Sequence, residues 1–139
     1  MKILALDLGD RWIGTALSDS SQIIARPHKT VELYQLEQFL TDLFTKERIR
    51  TVIVGKPQTL RGTESEQTRK IIAYKEKLEV LFPVCSWILW EERLTSKHAK
   101  NLSLQKQKEE IHSIAAALIL DSYLTYLRFQ KELESSTDG

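Results

Sequence analysis

An acidic residue interrupts the first apolar run of the chain. Asp7 follows Ile3-Leu4-Ala5-Leu6 and precedes Leu8. An ionised carboxylate loses its hydration in such a strand, and the loss is costly unless a partner replaces the water. One interpretation is a carboxylate that binds a metal ion. The other is a structural aspartate whose side chain caps the adjoining Gly-Asp-Arg turn by hydrogen bonding.

Two further acids, Glu91 and Glu92, end a later apolar run at residues 84–90. Carboxylate oxygens are hard ligands that suit Mg²⁺ and Mn²⁺. A pair of such ions activates a water and stabilises the leaving oxygen in phosphodiester hydrolysis. Side chains alternate along a strand, so only one of the two glutamates faces a given site, and periodicity does not choose between them. The alternative is a solvated strand end in which Arg93 is the partner.

Two basic segments could contact phosphates. The loop at residues 55–63, GKPQTLRGT, combines Lys56, Arg61 and Thr63 with two glycines that free backbone amides. The second segment lies between the last predicted strand and the last predicted helix, where its cations could track a nucleic-acid backbone. Its basic residues are Arg93, Lys97, Lys100, Lys106 and Lys108. The competing interpretations are an ordinary strand–helix loop and a solvated, flexible face.

Composition bounds the class of protein. The 139 residues are 42% apolar and 28% charged, which is the balance of a globular chain, so we predict one domain over residues 1–139 with a frayed end from about 132. The net charge of +1 restricts any nucleic-acid surface to a local patch. Cys85 has no second cysteine for a disulfide, and no bilayer-spanning run or signal pattern is found, so we expect a cytoplasmic protein. We interpret Trp12, Trp87 and Trp90 as core or sheet-surface residues rather than base-stacking platforms.

Periodicity predicts the elements that position these groups. Apolar runs between turn signals predict strands at 2–8, 12–18 and 22–26. An apolar stripe within residues 31–49 predicts an amphipathic helix, and a β-branched run predicts a buried strand at 51–55. A helix at 64–81, a strand at 84–90, a short helix near 95–102 and a long helix at 111–127 complete the prediction.

This order of elements predicts an α/β fold. Three successive strands form an antiparallel meander, and strands separated by helices join the sheet in parallel. Ligands of open α/β sheets collect beyond the carboxyl ends of the strands. If the first strand and the strand at 84–90 are neighbours, Asp7 and one glutamate meet at that edge. A cation between them would offset their repulsion.

Four segments resemble, in order and over nearly the whole chain, the motifs of the YqgF/RuvX family. They are LALDLGDRWIGTALSD, VIVGKPQTLRGTES, WEERLTSKHA and IHSIAAALILDSYL. The resemblance implies an RNase H-like fold with a five-stranded mixed sheet, three antiparallel strands followed by two parallel ones. It also implies metal-dependent phosphodiester cleavage, since Holliday junction resolution and 5′ processing of pre-16S rRNA are attributed to the family. By position, Asp7 matches the family's first-strand catalytic aspartate, and Glu92, rather than Glu91, matches its strand-end glutamate.

The chain departs from the family pattern at the start of the last helix, where His112 replaces the third acid, an aspartate. Neutral imidazole ligates Mn²⁺ but suits Mg²⁺ less well, and it exchanges a proton near neutral pH. His112 is thus a third metal ligand or an acid–base group, the mark of a weakened site, or a helix-start residue with no catalytic part. Glu109, one turn earlier, could substitute for the aspartate. Asp121 could not, because nine residues of helix span about 13 Å and end on the opposite face.

Three hypotheses follow. The first is a nuclease dependent on Mg²⁺ or Mn²⁺, monomeric or homodimeric, that processes the 5′ end of pre-16S rRNA through Asp7, Glu92 and His112. The second is a Holliday junction resolvase, which would require a symmetric dimer to cut two strands. The third is a catalytically weakened nucleic-acid-binding factor, which the histidine at position 112 motivates. The segment DLGDRWIG also resembles the phosphate-binding hairpin of actin-like ATPases. We do not expect that activity, because those proteins need two lobes around the nucleotide and 139 residues supply one.

Overall fold

The computed structural model describes residues 1–57, 65–92 and 108–137. The strands within these ranges are β1 (Lys2–Leu8), β2 (Trp12–Ser18), β3 (Ala25–Glu32), β4 (Ile49–Pro57) and β5 (Ser86–Glu92). The helices are α1 (Leu36–Lys46), which a 3₁₀ turn (Leu33–Gln35) precedes, α2 (Glu66–Leu81) and α3 (Lys108–Thr137). None of the helices in these ranges has the length and apolar character needed to cross a membrane.

The five strands form one sheet in the order β3-β2-β1-β4-β5. β2 pairs antiparallel with both β1 and β3, whereas β4 pairs parallel with both β1 and β5. The predicted five-stranded mixed sheet is therefore confirmed. The assumption that β1 and the last strand are neighbours is wrong, because β4 lies between them. Two strand spacings, about 10 Å in total, separate β1 from β5.

Alternation along β1 divides the core between the two faces of the sheet. Leu4, Leu6 and Leu8 pack in one apolar cluster with buried residues of α1 and α2. Ile3 and Ala5 point the other way and pack in a second cluster with buried residues of α3. Because apolar residues face both sides over residues 3–6, this part of the strand is buried from both sides.

The third strand begins later and ends later than predicted. Asp19 accepts hydrogen bonds from the backbone N–H groups of Ile23 (2.7 Å) and Ile24 (2.8 Å), and Gln22 adopts a left-handed φ of 59°. Residues 22–24 therefore belong to the turn, although two of them are β-branched. The extended strand begins only at Ala25.

The remaining boundaries differ from the predictions for local reasons. The helix predicted within residues 31–49 is shorter because Val31 pairs with Ile13 in the sheet and Ile49 begins β4. The stripe of α1 faces the core as predicted. β4, α2 and β5 lie within two residues of their predicted bounds. Helix α3 continues to Thr137, beyond residue 132 where fraying was expected, and the helix predicted near 95–102 lies outside the described residues.

Candidate functional site

Asp7 lies near the carboxyl end of β1, on the face of the sheet that α3 covers. It continues the alternating set of Ile3 and Ala5, both of which pack against α3, and its side chain is half-buried. The turn after β1 is closed by a hydrogen bond of 3.2 Å from the Gly9 N–H to the Trp12 carbonyl, as the predicted hairpin requires. The strand thus holds the carboxylate at the edge of the sheet, between a helix and a tight turn.

Gly14 is the cross-strand partner of Asp7 in the β1–β2 ladder. A Cβ atom at this glycine would overlap the backbone carbonyl of His112 and would lie 2.9 Å from the backbone nitrogen of Ser113. The backbone of α3 therefore rests directly on β2 at this position, and only glycine leaves room for it. Because paired residues of an antiparallel ladder lie about 5 Å apart, the backbone at His112 comes close to Asp7.

The contact at Gly14 is a feature that the sequence analysis missed. Its signal is an isolated glycine in the middle of the strand WIGTALS, a pattern typical of close backbone approach. The pattern cannot name the approaching segment, which in this case lies about 100 residues later in the chain.

His112 is half-buried in the described part of α3, next to the buried Ser113. Burial lowers the pKa of its imidazole below the ordinary value, because the charged form loses hydration. The imidazole is consequently neutral at pH 7, with one nitrogen available to accept a proton or to bind a metal ion. The structure thus brings the backbone of His112 close to the strand position of Asp7, and these are two of the three residues predicted for the site.

Glu91 and Glu92 end β5, on the far side of β4 from Asp7. In the parallel ladder Glu91 pairs with Lys56 and Glu92 with Pro57, so both glutamates lie at the same carboxyl edge of the sheet as Asp7. The side chain of Glu91 is exposed, whereas that of Glu92 lies outside the described part of the structure. Ile88 and Trp90 pack with the α3 cluster, and position 92 belongs to the same alternating set of strand residues.

Few of the predicted phosphate-binding residues fall within the described ranges. Lys56 is half-buried at the end of β4 and belongs to the alternating set of Val52 and Val54, which face α1 and α2 rather than α3. The remaining predicted residues lie outside the described part of the structure, except that the backbone of Lys108 is described. They are Arg61, Thr63, Arg93, Lys97, Lys100, Lys106 and the side chain of Lys108.

The donor chemistry of this edge suits a divalent cation of the Mn²⁺ or Mg²⁺ class. The strand position of Asp7 lies near the backbone of His112, and the position of Glu92 follows on β5. Among the side chains that the structure describes, which exclude that of Glu92, no group of three His, Cys, Asp or Glu comes together. An imidazole nitrogen in the set favours Mn²⁺ over Mg²⁺.

Comparison with known proteins identifies relatives over almost the whole chain. Residues 1–126 match the family described as RuvX: Holliday junction resolvase. A protein of Rubrobacter xylanophilus named "Putative pre-16S rRNA nuclease" is 35% identical over 127 residues, which cover 88% of this chain and 91% of that protein. A protein of Caldanaerobacter subterraneus with the same name is 36% identical over 136 residues, which cover 89% of this chain and 96% of the relative.

Solved structures share the fold at low sequence identity. RuvC of T. thermophilus in complex with a Holliday junction substrate superimposes with a TM-score of 0.60 at 14% identity, over 93% of this chain and 96% of that one. The fowlpox virus resolvase in complex with Holliday junction DNA gives a TM-score of 0.53 at 16% identity, over 91% and 99% of the two chains. These likenesses confirm the predicted RNase H-like architecture.

Proposed function

The chain belongs to the RuvX family, and from that premise we propose that it is a divalent-metal-dependent nuclease that processes the 5′ end of pre-16S rRNA. Its family is described as a Holliday junction resolvase, its relatives carry the name of a pre-16S rRNA nuclease, and it shares the fold of RuvC. The divalent ion is what the resemblance of its sequence motifs to the family implies. The choice of RNA follows the name that its relatives carry. A nuclease of rRNA precursors would act in the cytoplasm, in agreement with the sequence prediction.

One observation carries the proposal. Because Gly14 has no side chain, the backbone of His112 packs directly on β2, opposite Asp7 of β1. A helix that only covered the sheet could rest on an alanine or valine at position 14, as other parts of α3 rest on Ala5 and Ala16. The close approach at this one position brings a second chemically active residue to the strand carboxylate.

The proposed ligands fit a divalent ion by their chemistry. Asp7 supplies a carboxylate from a strand that is fixed on both sides, and Glu92 supplies the second carboxylate from the end of β5. His112 supplies a neutral nitrogen from the helix. When bound, the divalent ion acts as a Lewis acid and lowers the pKa of a coordinated water.

The protein's own residues perform the other tasks. Asp7 orients the attacking water through a carboxylate oxygen, and the rigid pairing of β1 with β2 and β4 limits its movement. The imidazole of His112 either completes the ligand set or accepts the proton of that water at its free nitrogen. Arg61 and the basic segment after β5 would bind phosphates of the substrate strand, and Lys56 would contact a phosphate from the α1 and α2 side of the sheet edge.

A second candidate is Holliday junction resolution, which two structural neighbours favour because they are complexes with junction DNA. The chemistry would be the same, but two active sites would have to act on one junction. We therefore expect a resolvase to be a symmetric dimer in solution, whereas a nuclease that cuts a single RNA strand has no such requirement.

The test is a cleavage assay with a pre-16S rRNA precursor and a four-way DNA junction side by side, each in Mg²⁺ and in Mn²⁺. The proposal predicts cleavage of the RNA and a loss of at least about 100-fold in Asp7→Asn, which keeps the shape of the side chain but removes its charge. Asp42→Asn, an exposed aspartate on α1, is the matched control and should leave cleavage unchanged.

Each other outcome selects a different function. Cleavage of the junction alone, by a dimer, would establish the resolvase. RNA binding without cleavage in either metal, together with cleavage gained in His112→Asp, would establish the weakened binding factor. Full RNA cleavage in both Asp7→Asn and Glu92→Gln would show that the active site lies elsewhere.

A further inference from the structure

A cleft of about 620 Å³ lies where helix α3 passes the edge strand β5. Trp90, Tyr126 and Phe129 line the cleft, and the buried Tyr123 packs behind the first two rings. The ring centroid of Trp90 lies 5.1 Å from that of Tyr123, nearly perpendicular at 86°, and 5.1 Å from that of Tyr126 at 51°. Phe129 extends the lining one helical turn beyond Tyr126. We call these four residues the aromatic face.

The outer half of the aromatic face is exposed. Tyr123 is 8% exposed and belongs to the core, but Tyr126 is 43% and Phe129 59% exposed. Neither exposed ring is needed to fill the core, since the α3 cluster closes over buried residues of the same helix. Exposed aromatic rings grouped around a cleft are typical of a binding surface rather than of an ordinary solvated helix.

Polar groups lie beside the aromatic rings of the cleft. The indole N–H of Trp90 donates to the hydroxyl of Ser122 at 3.2 Å, and the exposed Thr125 lines the same cleft. Arg128, also exposed, lies one turn after Thr125 on a neighbouring position of the helix, where its charge could meet a phosphate. The cleft thus combines flat apolar walls with hydroxyl groups, the exposed carboxylate of Glu91 and a cation close to its rim.

We propose that the aromatic face binds unpaired bases of the substrate strand, which stack on Tyr126 and Phe129 a few nucleotides away from the scissile bond, since Phe129 lies about 25 Å from His112 along α3. The inference rests on the proposed nuclease function. Trp90 lies two residues before Glu92 on β5, about 7 Å along the strand. A base at the aromatic face and a phosphate at the carboxyl edge of the sheet therefore belong to the same short stretch of the substrate strand. Stacking tolerates any base, which suits positioning rather than sequence reading.

Binding of a synthetic single-stranded RNA tests the proposal. The strand is about 10 nucleotides long, within the range that single-strand-binding sites cover. Fluorescence anisotropy with the full-length protein, without divalent ions, measures affinity in the absence of cleavage. Tyr126→Ala and Phe129→Ala should each weaken binding about 5- to 150-fold, which corresponds to the 1–3 kcal/mol typical of stacking one base. Tyr34→Ala, an aromatic residue 79% exposed on the 3₁₀ turn, is the matched control and should bind like the unaltered protein.

An abasic strand of the same length separates stacking from charge. It keeps the phosphates but lacks the bases, so the two α3 variants should bind it as well as the unaltered protein does. Equal losses on the normal and the abasic strand, or no loss on either, would overturn the proposal. So would a dimer of the unaltered protein in sedimentation that Phe129→Ala converts to a monomer, because the face would then be an interface between two copies.

The same variants distinguish failure of this inference from failure of the proposed function. RNA cleavage that requires Asp7 but is accompanied by unchanged binding in Tyr126→Ala and Phe129→Ala would refute the aromatic face alone. Binding that depends on both rings, in a protein that cleaves no RNA in either metal, would support the face and refute the nuclease.

Discussion

The substitution Gly14→Ala tests how the helix reaches the site. The added methyl group would overlap the His112 carbonyl and would lie 2.9 Å from the Ser113 nitrogen, whereas ordinary contacts of a Cβ begin near 3.4 Å. Both obstacles are backbone atoms, which no change of rotamer can remove. The backbone of α3 must therefore retreat by about 0.5 Å at Ser113 and by more at His112.

The retreat should lower both stability and activity. Overpacking a buried contact costs about 1–3 kcal/mol of unfolding free energy, which for a chain of this size lowers Tm by roughly 3–12 °C. A displacement of about 1 Å at a catalytic group reduces the rate on the order of 100-fold. We therefore expect Gly14→Ala to lose stability and RNA cleavage together, while its affinity for a short single-stranded RNA stays within about twofold, a change of less than 0.5 kcal/mol.

Thermal and urea unfolding, followed by circular dichroism, and cleavage of the pre-16S precursor measure these two losses. His112→Ala is the companion variant, because it removes the imidazole but keeps the backbone that rests on Gly14. It should lower cleavage with a much smaller change in Tm than Gly14→Ala produces. A Gly14→Ala protein with unchanged Tm and unchanged cleavage would refute the argument that the helix backbone rests on this glycine.

Three other predictions follow from single residues. His112→Asp should raise cleavage in Mg²⁺ more than in Mn²⁺, because it replaces a nitrogen donor by a hard oxygen, and parallel assays in the two ions measure the ratio. Partial desolvation beside Phe39, and to a smaller extent Lys29, lowers the pKa of the exposed His28 below its ordinary value. The unfolded chain takes up the proton first, so stability should fall slightly as the pH drops below about 6.5, and urea titrations at several pH values should show a smaller fall in His28→Gln. Leu120 is fully buried on the side of α3 that faces the sheet, so Leu120→Ala should cost about 2–5 kcal/mol of unfolding free energy. Leu81→Ala, at a position 47% exposed, should cost much less in the same urea titration.

The elements that depend on local patterns could be predicted well. β1 and β2 have the predicted bounds because alternation and the intervening Gly-Asp-Arg turn are both contained within about 17 residues. The stripe of α1 was identified because its period is a property of the helix itself. The predicted start of β3 at residue 22 is wrong, because the carboxylate of Asp19 stabilises a turn over residues that have strand-forming side chains.

The long-range arrangement could not be predicted from such patterns. The position of β4 between β1 and β5 depends on which edge each crossover reaches, and apolar strands buried on both faces carry little information about their neighbours. The residue pattern singled out Asp7 and the pair Glu91 and Glu92, and the family resemblance selected Glu92 from the pair. The structure adds the contact that the resemblance does not mention, the backbone of His112 on Gly14.

Small residues form a seam along the α3 face of the sheet. Ala5 pairs with Ala16, and Asp7 pairs with Gly14 two positions further toward the carboxyl edge of β1. On the helix side, the buried Ala115 and Ala116 follow directly after the turn that contains His112. Because small side chains allow close packing, α3 lies close to the sheet along this seam, beside Asp7.

The seam explains how the proposed third site position, 112, can change its side chain without moving its backbone. His112 is placed by its own carbonyl and by the next backbone nitrogen, both of which lie against Gly14. Neither contact involves the imidazole, so an aspartate at position 112 would meet the same backbone and begin from the same place. A difference in rate or metal preference between the histidine and aspartate forms can therefore be attributed to the donor atom, whereas the Gly14 variant changes the position and keeps the donor.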